Sequence, residues 1–375
     1  MLFNVCALYI KIMNNENQTI HKSDDNLTIY GWNEKLNQLK QESIYSALAH
    51  GRVSIVHRTC YEVISGNGLF QCELTGNMMY GKSDDELPCT GDWVIFQPFD
   101  EHKGIIVDSL PRERTLYRKK SGTVADKQAI ASYVDKAFIV QSLDDNFNVR
   151  RVERFMVQIM EENISSVLVL NKADLDFDRQ SVEEQIKHIS SQIPVFFTSI
   201  HQLETIVRLR KSISEGETVV FVGSSGVGKS SLVNALCEKP VLLTSDISLS
   251  TGKGRHTSTR REMVLMDSSG VLIDTPGVRE FGLAIDNPDS LAEVLEISDY
   301  AELCRFKDCK HINEPGCAVI EAVNSGALDS KVYESYLKLR REAWHFSASE
   351  HEKRKKEKSF TKLVEEVKNR KDANR

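Results

Sequence analysis

From Gly51 to about Asp108 the chain runs in short apolar stretches broken by polar residues: Arg52–His57, Tyr61–Ile64, Leu69–Leu74, Asp92–Gln97 and Gly104–Val107, with Ser65-Gly66-Asn67-Gly68 as a turn. That texture predicts short β-strands. Strands this short and this closely spaced suit a small barrel, of which the OB-fold is the commonest nucleic-acid-binding form. A barrel with no ligand is the competing reading. Beyond the barrel the period changes. Continuous apolar runs at Ala137–Val140, Val167–Leu170, Val195–Phe197, Val219–Val222 and Val271–Ile273 are separated by the helical stretches Val152–Glu162, Ser181–Ile189 and Leu203–Ile213. Runs without alternation are strands buried on both faces, so this segment predicts a parallel sheet covered by helices. After about Phe281 the pattern turns helical and ends in a highly charged helix from Ser330 to Arg375. Ahead of the barrel, residues 13–30 are polar and expected to be loosely attached. A helix from about Asn33 to Ala49 would place Leu36, Leu39, Ile44 and Leu48 on one side.

Composition narrows this picture only a little. At 375 residues two or three domains are expected. The apolar 41%, charged 27% and net charge of -6 are those of a soluble protein and give no sign of a uniformly basic nucleic-acid binder, without excluding one. Local patches remain open, and Arg112, Arg114, Arg118, Lys119 and Lys120 make the stretch 111–120 a basic connector. No run approaches the roughly 18 apolar residues of a membrane span. Met1–Ile12 is interrupted by Asn4 and lacks a small-residue cleavage site, so it reads as a ragged terminus. Of eight cysteines, five are scattered as reduced thiols would be, which makes a cytoplasmic location the expectation.

The strand run Thr218–Val222 leads into Gly223-Ser224-Ser225-Gly226-Val227-Gly228-Lys229-Ser230, with Ser231 opening a helix to Leu236. This is G-x-x-x-x-G-K-[ST] in its strand–loop–helix setting. Glycines let successive backbone N–H groups turn inward around phosphates, and the helix N-terminus adds its dipole. Lys229 would place a charge on the β- and γ-phosphates and the Ser230 hydroxyl would ligate magnesium.

A second loop follows the run Val167–Leu170: Asn171-Lys172-Ala173-Asp174. A carboxylate at Asp174 can accept from guanine N1–H and its exocyclic amine together, a donor pair that adenine lacks. Asn171 would meet the other purine edge, and the Lys172 stem would lie along the ring. Phe197-Thr198-Ser199-Ile200, after the next strand, offers a backbone N–H to the guanine oxygen. The two motifs stand in an unusual order, because N-K-A-D precedes the phosphate loop. The sheet can survive that permutation, since the site needs only loops at the carboxyl edge.

Asp274-Thr275-Pro276-Gly277 matches D-x-x-G, with Asp274 holding magnesium through water and the Gly277 N–H sensing the γ-phosphate. Thr251–Arg260 suits a mobile switch, in which Thr257, Ser258 or Thr259 would ligate magnesium. Val278 stands where many GTPases carry a water-orienting glutamine. His256 is the expected substitute, and a solvated loop histidine is the other reading. Turnover should then be slow and open to stimulation by a partner.

Cys304-x4-Cys309-x-His311-x5-Cys317 offers three thiolates and an imidazole, the set a closed structural zinc site takes, unless the thiols are only a chance cluster.

The joint order of barrel, N-K-A-D, G-S-S-G-V-G-K-S, G-R-H-T-S-T-R, D-T-P-G and C-x4-C-x-H-x5-C, over about residues 50 to 340, resembles the RsgA/YjeQ family of circularly permuted GTPases. The resemblance implies a multi-domain chain. Its parts would be an extension with a short helix over 1–50, an OB-fold-like barrel over 51–112 and a circularly permuted P-loop GTPase domain over 113–283. A mainly helical zinc-binding domain with a charged tail would fill 284–375. It implies GTP and GDP with magnesium, one structural zinc, and stimulated hydrolysis in late maturation of the small ribosomal subunit. The partners would be that subunit and its rRNA, with no membrane, and the chain a monomer. Asn171–Asp174 and Gly223–Ser231 would bind the nucleotide and His256 would serve catalysis. A Lys- and Glu-rich tail could contact RNA or be plainly solvated. Two other functions fit the residues: a GTP-gated RNA-binding switch with incidental hydrolysis, and a permuted GTPase serving another RNA. Because D-T-P-G lies shortly before Cys304, loss of the γ-phosphate could also move the zinc domain directly.

Overall fold

The computed structural model describes residues 26–83, 85–119, 127–238, 262–266, 270–274 and 289–347. They divide into two compact units, one holding the N-terminal two-thirds and the other holding the C-terminal helices.

The first unit opens with five strands: β1 (Ala49–Val56), β2 (Tyr61–Ser65), β3 (Gly68–Leu74), β4 (Trp93–Asp100) and β5 (Lys103–Ser109). They pair in the order β1-β2-β3-β5-β4, and β4 returns to β1, so the sheet closes. All of these contacts are antiparallel except β3 with β5. This is a five-stranded barrel of the OB type. Val53, Val63, Phe70, Cys72, Val94, Phe96 and Ile106 fill it. Gly51 is required where β1 crosses β2, because a Cβ there would stand 2.5 Å from the Ile64 carbonyl oxygen.

The expected helix before the barrel is shorter than its apolar spacing suggests. It spans Glu34–Glu42, with Asn33 capping the Leu36 N–H at 3.1 Å. Ser43 ends it by accepting the Tyr45 N–H and donating to Asp108. Ile44, predicted on the buried side, is therefore 89% exposed. Leu27, Trp32 and Leu36 pack on Trp93, Ile95, Leu110 and Tyr133, so the stretch from Leu27 to Leu36 is part of the barrel's packing.

A two-stranded sheet of β6 (Leu116–Lys119) and β7 (Lys127–Ala131) has no counterpart in the sequence reading. Then come β8 (Lys136–Ser142), β9 (Ser165–Asn171), β10 (Val195–Thr198), β11 (Thr218–Val222), β12 (Glu262–Leu265) and β13 (Val271–Asp274). Their order is β10-β9-β8-β11-β13-β12, parallel apart from β12. Parallel pairing demands crossovers, which the helices Val149–Glu161, Arg179–Gln185 with Lys187–Ser190, and Leu203–Lys211 supply. Strand β12 also pairs with β1 of the barrel, so one sheet of eleven strands runs through the unit. At this seam lies Arg52, 1% exposed. Its guanidinium donates to the carbonyls of Tyr30, Gly91, Ser132 and Tyr133 and to Thr218 Oγ1, at the first residue of β11. A buried charge survives because every donor finds an acceptor.

The three arginines of the basic connector are engaged internally, while the Lys119 side chain and Lys120 lie outside the described residues. Arg112 binds the wholly buried Asp92 through Nε and Nη2, at 3.0 and 2.7 Å. Arg114 pairs with Asp135 at 3.0 Å and Arg118 donates to Gln128 at 2.9 Å. These cations fasten the loop before β4, the start of β8 and the two-stranded sheet.

The second unit contains the helices Asp289–Val294, Ser298–Ala301, Ala318–Ser325 and Ser330–Ser347. Val332, Tyr336, Leu339 and Ala343 are buried, so the first half of the charged tail packs as an amphipathic helix.

Candidate functional site: a phosphate loop beside a base-recognition loop

β8, β9 and β11 end together at one edge of the sheet, as their parallel registers require. β11 is buried throughout and delivers Gly223 at φ 148°, where a Cβ would lie 2.3 Å from the Val140 carbonyl of β8. Gly226 (φ 82°) and Gly228 (φ 91°) take left-handed conformations that turn the loop back on itself. Val227 is fully buried and pins the loop to the core, while Ser225 and Gly226 are exposed. Gly228 caps the helix Lys229–Leu236, and Ser230 and Ser231 occupy its first turn, half-buried. The Lys229 ammonium folds back across the loop, donating to the carbonyls of Gly223 (2.7 Å) and Ser224 (2.6 Å).

The base loop is bonded directly to this one. Asn171, 3% exposed, donates Nδ2–H to the Val227 carbonyl at 2.9 Å and accepts from Thr198 Oγ1 at 3.2 Å. A Cβ on Gly228 would stand 2.4 Å from the same Asn171 nitrogen, so the third glycine of the motif makes room for the asparagine. Lys172 sits at φ 62° and donates to Asp144 at 2.7 Å. The Ala173 N–H donates to the Thr198 carbonyl. Asp174 is exposed, and the Ser199 hydroxyl, foremost, lowers its carboxyl pKa. An anionic acceptor therefore faces outward beside the phosphate loop. In Phe197–Ile200 the Ser199 N–H is already given to Thr205 Oγ1 at 3.0 Å, which removes it as a donor to a base.

Asp274 ends β13, next to β11 on the side away from β8. Gly277, His256, Thr257, Ser258 and Thr259 lie outside the described residues. The loop after β8, Asp144-Asp145-Asn146, went unnoticed in the sequence. The rule that singled out N-K-A-D, a polar loop at the carboxyl end of a strand, applies to it equally.

In the second unit the ligand atoms of Cys304, Cys309, His311 and Cys317 all lie within 4.8 Å of one another. Tetrahedral zinc, with bonds of about 2.3 Å to sulfur and 2.0–2.1 Å to nitrogen, sets edges of about 3.8 Å between sulfurs and 3.6 Å from sulfur to nitrogen. The edges here are 3.9 Å from Cys304 to Cys317 and 3.5 Å from each of them to His311 Nδ1. The donor set fits the ion. Its frame is built for the purpose: Cys317 opens the helix Ala318–Ser325, and His311 is held at φ 57° with its carbonyl taking the Tyr333 hydroxyl at 2.6 Å. Glu314 accepts the N–H groups of Lys310, Ile312 and Asn313, which closes the loop between ligands. Burial raises the Cys304 pKa, but backbone N–H groups of Val319 and Ala318 outweigh it and lower it, while burial and the two neighbouring thiols push Cys309 up to about 11.

The model of the RsgA GTPase family matches residues 109–284. A curated relative from Bacteroides thetaiotaomicron, small ribosomal subunit biogenesis GTPase RsgA 1, is 76% identical over 96% of this chain and 99% of its own length. The chain belongs to the RsgA GTPase family. It is a GTPase that binds guanine nucleotide and hydrolyses GTP, and its motifs stand in circularly permuted order. The RsgA of Methanosarcina acetivorans is 38% identical over 87% of this chain and 89% of its own. The crystal structure of YjeQ from Thermotoga maritima matches with a TM-score of 0.59 and 27% identity, over 79% of this chain and 98% of that one. An ABC transporter model also matches residues 206–371, a span containing the phosphate loop that both classes share. Among the described residues no helix is long and apolar enough to cross a membrane.

Proposed function

We propose that this GTPase acts in late maturation of the small ribosomal subunit, that the subunit stimulates its turnover, and that rRNA is part of the contact. The relatives' names carry the partner. The hydrogen bond between Asn171 and the Val227 carbonyl carries the site, because it makes one surface of two distant segments.

In this reading Asn171, Lys172, Ala173 and Asp174 hold the guanine base. Gly223, Ser224, Ser225, Gly226, Val227, Gly228, Lys229, Ser230 and Ser231 hold the phosphates, with Lys229 moving from the loop carbonyls onto the β- and γ-phosphate oxygens. Ser230 and one of Thr257, Ser258 and Thr259 would hold magnesium directly and Asp274 through water. Magnesium would supply charge neutralisation on the β- and γ-oxygens. Gly277 would report the γ-phosphate, and His256 would orient the attacking water in place of glutamine. Cys304, Cys309, His311 and Cys317 would hold one structural zinc with no open position. The domain limits 1–50, 51–112, 113–283 and 284–375, a monomeric state and a cytoplasmic location complete the proposal.

The test is GTP turnover with and without purified small subunits, with ATP as control. Strong stimulation by the small subunit, and none with ATP, is expected. Equal turnover in both arms would favour a GTP-gated binding switch instead. Full stimulated turnover in His256→Ala would remove the histidine from catalysis.

A further inference from the structure

The loop after β8 touches both halves of the nucleotide site, and no motif accounts for it. Its backbone is joined to the base loop by the Leu143 N–H, which donates to the Asn171 carbonyl at 2.9 Å. At its other end Asn146 Nδ2–H reaches the Ser225 carbonyl of the phosphate loop at 3.5 Å, while Arg151 holds the Asn146 side chain at 3.1 Å. Between them stands Asp144, whose two oxygens have separate tasks. Oδ1 accepts the Ser142 hydroxyl (2.6 Å) and the Asn146 N–H (3.0 Å), which fixes the carboxylate plane. Oδ2 is left to face Lys172 Nζ at 2.7 Å.

We infer that Asp144 is a positioning residue of the guanine site: it holds the Lys172 ammonium so that the lysine stem stays in place for the purine ring. This rests on the reading of Asn171–Asp174 as the base-binding segment. The lysine needs such a partner for two reasons. Its flexible stem gives up rotamer freedom when ordered, and a preformed ion pair removes that loss from the binding step. Its charge also stands beside a loop built to hold phosphates, and a free ammonium would be drawn to their oxygens, off the ring. The Asp144 carboxylate competes for it. Burial raises the Asp144 pKa, but the hydrogen bonds from Lys172, Ser142 and Asn146 prevail and hold it at about 2, so the acid is ionised throughout the neutral range.

An ion pair whose side chains are 35% and 31% exposed adds little to folding, which separates positioning from mere stability. The test is a double-mutant cycle on the full-length chain, reading GDP affinity and thermal midpoint together for Asp144→Asn, Lys172→Met and the pair. Asp144→Asn should weaken GDP binding about three- to tenfold with little change in midpoint. In the Lys172→Met background, which keeps the stem without the charge, the same change should do nothing more. Asp144→Glu should recover part of the affinity, and it carries the cycle if Asp144→Asn does not fold.

Three results would overturn the inference, and they differ. If Lys172→Met binds GDP as tightly as the parent, the ammonium positions nothing and the inference fails, while the base-site reading stands or falls separately on Asp174→Asn. If Lys172→Met weakens binding but Asp144→Asn does not, only the role of Asp144 falls. If Asp144→Asn weakens binding equally in both backgrounds, the aspartate supports the loop rather than the lysine.

Discussion

Asn171 donates its side-chain amide to the carbonyl of Val227, 2.9 Å away across fifty-six positions of chain. One bond thus fixes the base loop against the phosphate loop, and Gly228 leaves the space for it. Asn171→Ala strands a buried acceptor at a cost of about 1–3 kcal/mol, so guanine-nucleotide affinity should fall roughly five- to 150-fold. Gly228→Ala adds a Cβ at φ 91° and 2.4 Å from the same amide, and should weaken binding at least as much. Equilibrium titration with GDP reads both. Unchanged affinity in Gly228→Ala would mean that the two loops are not held as described.

The C-terminal unit should depend on its metal. Structural zinc contributes on the order of 10 kcal/mol of apparent binding energy in small domains. Chelation, or Cys317→Ser, should therefore abolish the unit's cooperative melting while GDP binding, which uses none of these residues, persists. Calorimetry with and without a chelator checks this. A melting profile indifferent to chelation would remove zinc from the account.

Acid should weaken the barrel through His50. Burial, helped by the Lys40 charge, lowers its pKa from 6.5 to about 3 while its ring lies 4.1 Å from that of Trp32. The unfolded chain therefore takes up a proton that the folded chain refuses. This contribution is complete above about pH 6.5 and is lost as the pH falls toward 3, by up to about 1.4 kcal/mol per pH unit. His50→Gln should start less stable at pH 7 and lose less between pH 7 and 5 in urea unfolding. An identical slope in the variant would show that the ring is not the group responsible.

Much of this was legible in the sequence because two periods differ so plainly. Short runs around Tyr61–Ser65 and Gly68–Leu74 gave the barrel, and unbroken ones such as Val167–Leu170 gave the parallel sheet. The motif loops were found because glycine, lysine and carboxylate at fixed spacing have few other uses. What stayed hidden depends on partners far away in the chain. Arg112 reads as a free cation until Asp92 is seen beneath it. Ile44 has helical spacing, yet Ser43 diverts the chain through a bond to Asp108. Asp144 belongs to no motif, and only the neighbouring strand brings Lys172 to it. The leucine and tryptophan contacts of residues 27–36 were likewise invisible, since a polar stretch gives no sign of what its few apolar residues will cover.

The central claim, that one guanine site is built from Asp174's loop and the phosphate loop, is tested most directly by exchanging a single atom group. Asp174→Asn replaces an acceptor by an amide that can donate to the 2-oxygen of xanthine. The account predicts that this variant loses affinity for GDP by at least about a hundredfold and gains affinity for XDP, with Lys229 and the phosphate loop untouched. A variant that still prefers GDP over XDP would contradict it.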